Sequence, residues 1–179
     1  MLPSKMKTLN ANKLFVDFEI NPREKNRYKL DVLLMQIVAF GRIMTPIVVE
    51  EREPDAQHKD VWHLVLQGNR RALIAQMCQN EPQKVTNALL AIADSEVDVT
   101  KAKHIREHLV ERTKEIVDSF SKLECTVHKG LTSNERDSII MDHGSQLDQC
   151  RTEIVRTVWR KLKAGASQIE IINSMYFGF

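Results

Sequence analysis

Val61-Trp62-His63-Leu64-Val65-Leu66-Gln67-Gly68-Asn69-Arg70-Arg71-Ala72-Leu73-Ile74-Ala75-Gln76-Met77 decides how this chain is read. Residues 61–66 are apolar and aromatic and read as a strand, and residues 72–77 read as a helix. Between them a glycine turn carries two arginines. Glycine lets the backbone approach a ligand closely, and the first amides of a helix sit at the positive end of its dipole. Guanidinium groups add planar donors that match phosphate. The turn is therefore a candidate anion site. An ordinary turn with solvated arginines fits the same spacing, and spacing alone does not separate the two.

Upstream, Pro46-Ile47-Val48-Val49-Glu50 reads as a strand with proline at its first residue, and the polar run Glu51 to Asp60 as a surface hairpin loop. Leu30, Leu33, Leu34, Ile37 and Val38 recur at helical spacing, with Gly41 where a capping glycine belongs. Asn21-Pro22-Arg23 breaks an extended lead-in over residues 8–20, in which Leu14, Val16 and Phe18 alternate.

Downstream, the helix after the turn covers 69–79 and stops at Glu81-Pro82; Val85, Ala88, Leu89 and Ile92 mark a short helix. Residues 100–120 read as one amphipathic helix with Ala102, Ile105, Leu109, Ile116 and Phe120 on one face. Leu123 to His128 reads as a strand. Thr132-x-x-Glu135 is a capping box opening a helix with Ile139 and Ile140, which ends at Asp142-His143-Gly144. Ile154, Val155, Val158 and Leu162 form the apolar stripe of the next helix, with Arg156, Arg160 and Lys163 opposite; Trp159 borders the stripe. Gly165 stops it, and Ser167 can cap a last helix through Ile171 and Ile172. The pattern predicts an α+β fold. A small mixed sheet with surrounding helices fills 1–128, with a helical insertion near 82–122, and a helical subdomain covers 129–179.

The chain has 179 residues, enough for one domain or one domain with an appendage. Its formal net charge of +2 is too mild to argue nucleic-acid binding from bulk charge. Cys78, Cys125 and Cys150 are far apart and form no C-x-x-C pair, which predicts buried thiols in a reducing compartment. No long apolar span and no signal-peptide pattern occur, so a soluble cytoplasmic protein without membrane contact is expected.

With this order of elements the chain resembles the ParB/sulfiredoxin superfamily, and most of all the N-terminal domain of ParB-type partition proteins of phages and plasmids. Asn21-Pro22-Arg23 is similar to a shortened N-P-x-x-x-R segment. Ile37 to Val49 is similar to the helix, glycine, Q-P-I-x-V segment, with Thr45 in place of Gln. Gly68-Asn69-Arg70-Arg71-Ala72 is similar to the G-E-R-R box. Asp142-His143 followed by Glu153 resembles the E-N…N-P-x-E segment, and Ala164 to Ile172 resembles the start of a helix-turn-helix.

The resemblance implies binding of CTP or another nucleoside triphosphate with Mg²⁺, association with DNA in plasmid, phage or chromosome maintenance, and a possible homodimer. It places Gly68, Asn69, Arg70 and Arg71 at the phosphates and Gly41, Thr45, Pro46 and Ile47 on the nucleoside side. Asp142 and His143 fall on the metal side. Arg156, Arg160 and Lys163 become candidate DNA contacts, against the plain alternative of a solvated helix side.

The departures carry expectations of their own. Asn69 stands where the box has glutamate, and a neutral amide cannot act as a general base, so efficient hydrolysis is not expected. Sulfiredoxin-like thiol repair needs a cysteine in this turn, and none is there. The segment from Pro82 to Lys122 is longer than the family's connection. The sequence stops at Phe179, after the first helix of the reading unit, so either that unit is cut short or the protein lacks it; weak, sequence-independent DNA binding follows. Elsewhere, His104-Ile105-Arg106-Glu107-His108 fits H-x-x-E-H, but no third ligand stands at a recognisable spacing, and a solvated helix face is the simpler reading. Three function classes stay open: a nucleotide-binding, DNA-associated protein, a nuclease or nucleotide-dependent phosphotransferase on the same scaffold, and a regulatory interaction module without ligand.

Overall fold

Five strands form one mixed sheet in the computed structural model, which describes residues 4–20, 30–43, 45–142, 151–163, 165–169 and 171. The strands are β1 (Ser4–Asn10), β2 (Leu14–Phe15), β3 (Ile47–Arg52), β4 (Trp62–Gln67) and β5 (Lys122–Lys129), in the order β1-β5-β3-β4-β2. β3 and β4 form the expected antiparallel hairpin. Its loop is fixed by Asp55, whose carboxylate accepts from the backbone N–H groups of Gln57 and His58, both at 2.8 Å. β5 lies parallel to β3, which requires a long crossover. That crossover is helical: α2 (Asn69–Asn80), α3 (Pro82–Ser95), α4 (Val99–Glu107) and α5 (Leu109–Ser121).

These helices and α1 (Leu30–Phe40) share one core with one face of the sheet. Ile47, Val49, Val65, Leu123, Cys125 and Val127 meet Ile37, Val38, Ile74, Leu89, Ile116 and Phe120 there. The opposite face carries a smaller core, in which Leu64 and Leu66 of β4 meet Leu131 and Ile140 of α6 (Ser133–Asp142). The capping box of α6 forms as expected: Glu135 accepts from Thr132 N–H at 2.8 Å, and Thr132 Oγ1 accepts from Glu135 N–H at 3.3 Å. A last described helix is α7 (Arg151–Lys163). The fold is mixed α+β, with seven helices among the described residues.

Several elements differ from expectation for identifiable reasons. The lead-in is two strands separated by a short 3-10 turn at Ala11–Lys13, and its first strand lies earlier, at Ser4–Asn10. β1 is exposed along nearly its whole length at the sheet edge, so it shows no alternation to read. Pro82 opens α3 as its first residue, where its missing N–H costs nothing, and α3 runs on to Ser95. The single helix expected over 100–120 breaks at His108, whose φ of −105° and ψ of 20° leave the helical range. Ile105 and Ile116 still pack into the same core, so the apolar stripe continues across the break and hides it. Asn21-Pro22-Arg23 lies outside the described residues.

Cys78 and Cys125 are free and fully buried, and burial pushes their thiols up to about 12 and about 11. They behave as small core residues. Cys150 lies outside the described residues. Among those residues no helix is long and apolar enough to cross a membrane.

A buried ion pair ties α6 to the centre of the sheet. Glu50 is 2% exposed, and Arg136 of α6 meets it with two bonds, Nε to Oε2 at 2.7 Å and Nη2 to Oε1 at 3.2 Å. Arg52 Nε stands 3.3 Å from the same Oε2. Removing one partner of a buried pair leaves an uncompensated charge, whereas replacing both by apolar groups is often neutral. Arg136→Ala is expected to cost about 3 kcal/mol, the low end of the usual range because Arg52 stays close. The double variant Glu50→Leu/Arg136→Met should recover most of that loss. Urea denaturation of the single and double variants checks both values; equal losses would show that the pair does not act as a unit.

Candidate functional site

Gly68 sits at the junction of β4 and α2 with φ 86° and ψ 23°, a left-handed conformation that favours glycine. Its carbonyl accepts the first helical bond, from Ala72 N–H at 2.9 Å. Gly68 has no side chain to cap the helix, and the first turn holds no acidic residue, only Asn69, Arg70 and Arg71.

Arg71 folds back over the glycine. A Cβ at Gly68 would stand 3.0 Å from Arg71 Nη2 and 3.2 Å from its Cζ. Glycine is favoured here by the left-handed backbone, and the guanidinium tip above it would have to give way by a few tenths of an ångström to a Cβ. Arg71 Nη1 donates to the carbonyls of Thr45 and Pro46, the latter at 3.1 Å. Burial lowers the Arg71 pKa from its usual value, and no described carboxylate pairs with it. Beside it, Asn69 Oδ1 is buried and has no hydrogen-bond partner among the described residues.

The segments singled out in the sequence therefore meet in part. Thr45 and Pro46 touch the arginine turn. Ile47 is fully buried in the core beneath it. Gly41 closes α1 in the left-handed conformation, its N–H bonded to Ile37 O at 2.9 Å, and its carbonyl accepts from Ser119 Oγ of α5 at 3.2 Å. Gln67, just before the turn, donates from Nε2 to Ile139 O at 2.5 Å. That bond fixes the last part of α6 beside the same strand end, and Asp142 is the final residue of α6. His143 lies outside the described residues, as does the side chain of Asp142.

Of the basic residues of α7, Arg160 is placed differently from expectation, while Lys163 is exposed. Arg160 turns toward the body, donating to the carbonyl of Ile20 and pairing with Asp137 Oδ1 at 3.1 Å. Lys161 is buried beside it in sequence, and Lys163 Nζ lies 5.6 Å from the centre of the Trp159 ring. The side chain of Arg156 lies outside the described residues. Of the apolar stripe, Val155 is 65% and Leu162 46% exposed while Val158 is half-buried, and Trp159 beside it is 60% exposed. The ion pair and the carbonyl bond of Arg160 tie α7 to the body through a residue that helical periodicity had placed on the solvated side.

His104 and His108 bring their rings within 4.5 Å, and His108 Nδ1 meets Glu111 Oε2 at 3.2 Å. No described group of three or more His, Cys, Asp or Glu residues is arranged to hold a metal. A second charged cluster was not foreseen. Glu51 Oε2 meets Lys7 Nζ at 2.9 Å, Glu51 also pairs with Lys129, and buried His63 Nε2 stands 3.9 Å away. The partners come from β1, β4 and β5, so only the strand register shows the cluster.

No family model, no curated protein and no solved structure matches the chain.

Two predictions follow from these geometries. Gly68→Ala should destabilise by about 1–2 kcal/mol through the left-handed backbone alone, and Gly68→Asn by less, because asparagine tolerates that region; chemical denaturation compares the two. The second concerns acid. Lys129 and Lys7 hold the Glu51 carboxyl at about 2, down from 4.5, and burial pulls His63 below 6.5 against the opposing field of Glu51. The unfolded chain therefore takes up protons at higher pH than the folded one at both groups, so stability falls on acidification. The loss begins below pH 6.5 through His63 and continues between about 4.5 and 2 through Glu51. Thermal melts across pH should show the first step flattened by His63→Leu and the second by Glu51→Gln.

Proposed function

We propose that this chain is a ParB-type nucleotide-binding protein that takes CTP or another nucleoside triphosphate with Mg²⁺ at the Gly68–Arg71 turn and associates with DNA. The observation that carries the reading is an electrostatic mismatch. Arg71 occupies the first turn of α2, where the helix dipole already favours anions, and that turn itself contains no acidic residue. Arg71 has only backbone carbonyls as described partners. A triphosphate supplies the missing negative charge and accepts from the helix amides.

The convergence of Thr45-Pro46, the turn and the end of α6 supports a nucleoside side and a metal side around one phosphate centre. Asp142, with His143, is the proposed metal-side residue. Asn69 at the turn gives binding without a general base, so slow or absent hydrolysis accompanies the proposal. On the DNA side, Arg156 and Lys163 of α7 remain as phosphate contacts, since Arg160 is engaged by Asp137. Their binding is weak, sequence-independent and steeply salt-dependent.

Titration calorimetry with CTP, ATP, GTP and UTP, each with Mg²⁺, tests the site. Arg70→Ala is expected to weaken binding about tenfold, the loss of one charge-assisted contact. Arg71→Ala should do the same and also lower the melting temperature, because it frees the Thr45-Pro46 carbonyls. No heat and no thermal shift with any triphosphate at about millimolar concentration, a range in which binding is worth about 4 kcal/mol, would overturn the reading.

A further inference from the structure

His104 and His108 lie one turn apart where α4 ends, and both are exposed. The backbone N–H of His108 still bonds to His104 O at 3.2 Å, so the two side chains rise from one face although the helix breaks at His108. Their ring centres are 4.5 Å apart, with the planes tilted by 53°. Metal–nitrogen bonds of about 2.0–2.1 Å put the centres of two imidazoles that share one ion at a right angle about 4.5 Å apart, and about 5 Å apart at a tetrahedral angle. A second observation concerns the ring proton. His108 Nδ1 meets Glu111 Oε2 at 3.2 Å. A carboxylate only accepts, so Nδ1 is the donor and Nε2 keeps its lone pair. A carboxylate on the far nitrogen is the usual support of a metal-binding imidazole. Neighbouring acids are engaged elsewhere: Glu107 pairs with Lys103 at 3.6 Å, and Asp94 with Arg106 at 2.6 Å.

We propose that His104 and His108 hold a divalent transition-metal ion of tetragonal preference, Cu²⁺ or Ni²⁺, with Glu111 orienting His108. Imidazole is a good ligand for these ions, and two nitrogens at a right angle, with oxygen in the remaining positions, suit square-planar or tetragonal geometry. Tetrahedral Zn²⁺ fits the pair less well. Two protein ligands make an open site rather than a closed structural one, in keeping with the lack of any cluster of three or more ligand residues among the described residues. The ion bridges the last turn of α4 to the residue at which the helix breaks, and so braces the junction of α4 and α5. This site is separate from the arginine turn and stands whether or not the turn binds nucleotide.

The test uses the full chain, stripped of metal with a chelator and titrated with Cu²⁺, Ni²⁺ and Zn²⁺ by calorimetry; the Cu²⁺-loaded chain is then examined by electron paramagnetic resonance. Cu²⁺ is expected to bind most tightly, in the usual order of these ions, and its spectrum to show two equatorial nitrogens. Glu111→Ala should weaken Cu²⁺ binding about tenfold, the low end for a supporting partner because this carboxylate is exposed, and keep both nitrogens. His104→Gln and His108→Gln should each weaken it further and leave one nitrogen. His58→Gln, in the loop between β3 and β4, should change neither affinity nor spectrum. Because His104 is exposed, its variant should keep the metal-free melting temperature, so lost binding reports the site rather than the fold. Cu²⁺ should raise the melting temperature of the wild type and not of His104→Gln. No binding of Cu²⁺ or Ni²⁺, Cu²⁺ affinity unchanged in His104→Gln, a wild-type spectrum with a single nitrogen, or Zn²⁺ bound as tightly as Cu²⁺ overturns the proposal.

Discussion

The buried carboxylate of Glu50 constrains more of this molecule than any other single group. β3 is paired on both sides, to β4 and to β5, and one of its faces is closed by the main core. A charge on its other face has to be met there. Arg136 meets it from α6 with two bonds, which determines where α6 lies on the sheet. Once α6 is placed, Ile139 reaches Gln67, and the end of α6 lies beside the strand that leads into Gly68. The surroundings of the candidate phosphate site thus follow from an ion pair that takes no part in it.

What could be read in the sequence was the part governed by local pattern. β4, the glycine junction and α2 were legible because apolar run, turn residue and helix formers occur in unbroken order. The capping box of α6 and the closing glycine of α1 were legible because each is a local hydrogen-bond device. β1 was not, since an exposed edge strand has no buried face to impose alternation. The break at His108 was not, since the residues on either side keep one apolar stripe. For the site, the sequence showed which residues carry charge. It did not show that Arg71 would be held by Thr45 and Pro46, a contact between residues 26 and 25 positions apart.

Charge near the arginine turn and charge around Glu51 illustrate two different balances. Glu51 of β3 is met by Lys129 of the adjacent β5 and by Lys7 of β1 beyond it, so its carboxylate is paired within the cluster. Such a cluster ties β1, β5, β3 and β4 together at neutral pH. The first turn of α2 has the opposite character. Arg71 lies at the end of the helix dipole that cations disfavour, and its two described bonds are to the neutral carbonyls of Thr45 and Pro46. Glu51 is met by lysines of its own cluster, whereas Arg71 has no described carboxylate beside it, and that difference supports the proposal of an anion at the turn.

Arg71 and Arg160 make the same point about side chains that look alike in sequence. Both sit on helices, both donate to backbone carbonyls of distant segments, and both would pass for solvated charges by spacing alone. Arg160 also has Asp137, so its charge is satisfied and its effect is mechanical: it ties α7 to the body. Arg71 has no such carboxylate among the described residues. One aspartate beside a half-buried guanidinium thus separates the two: Arg160 is paired and holds a helix, whereas the unpaired charge at Arg71 is what supports the proposal of an anion there.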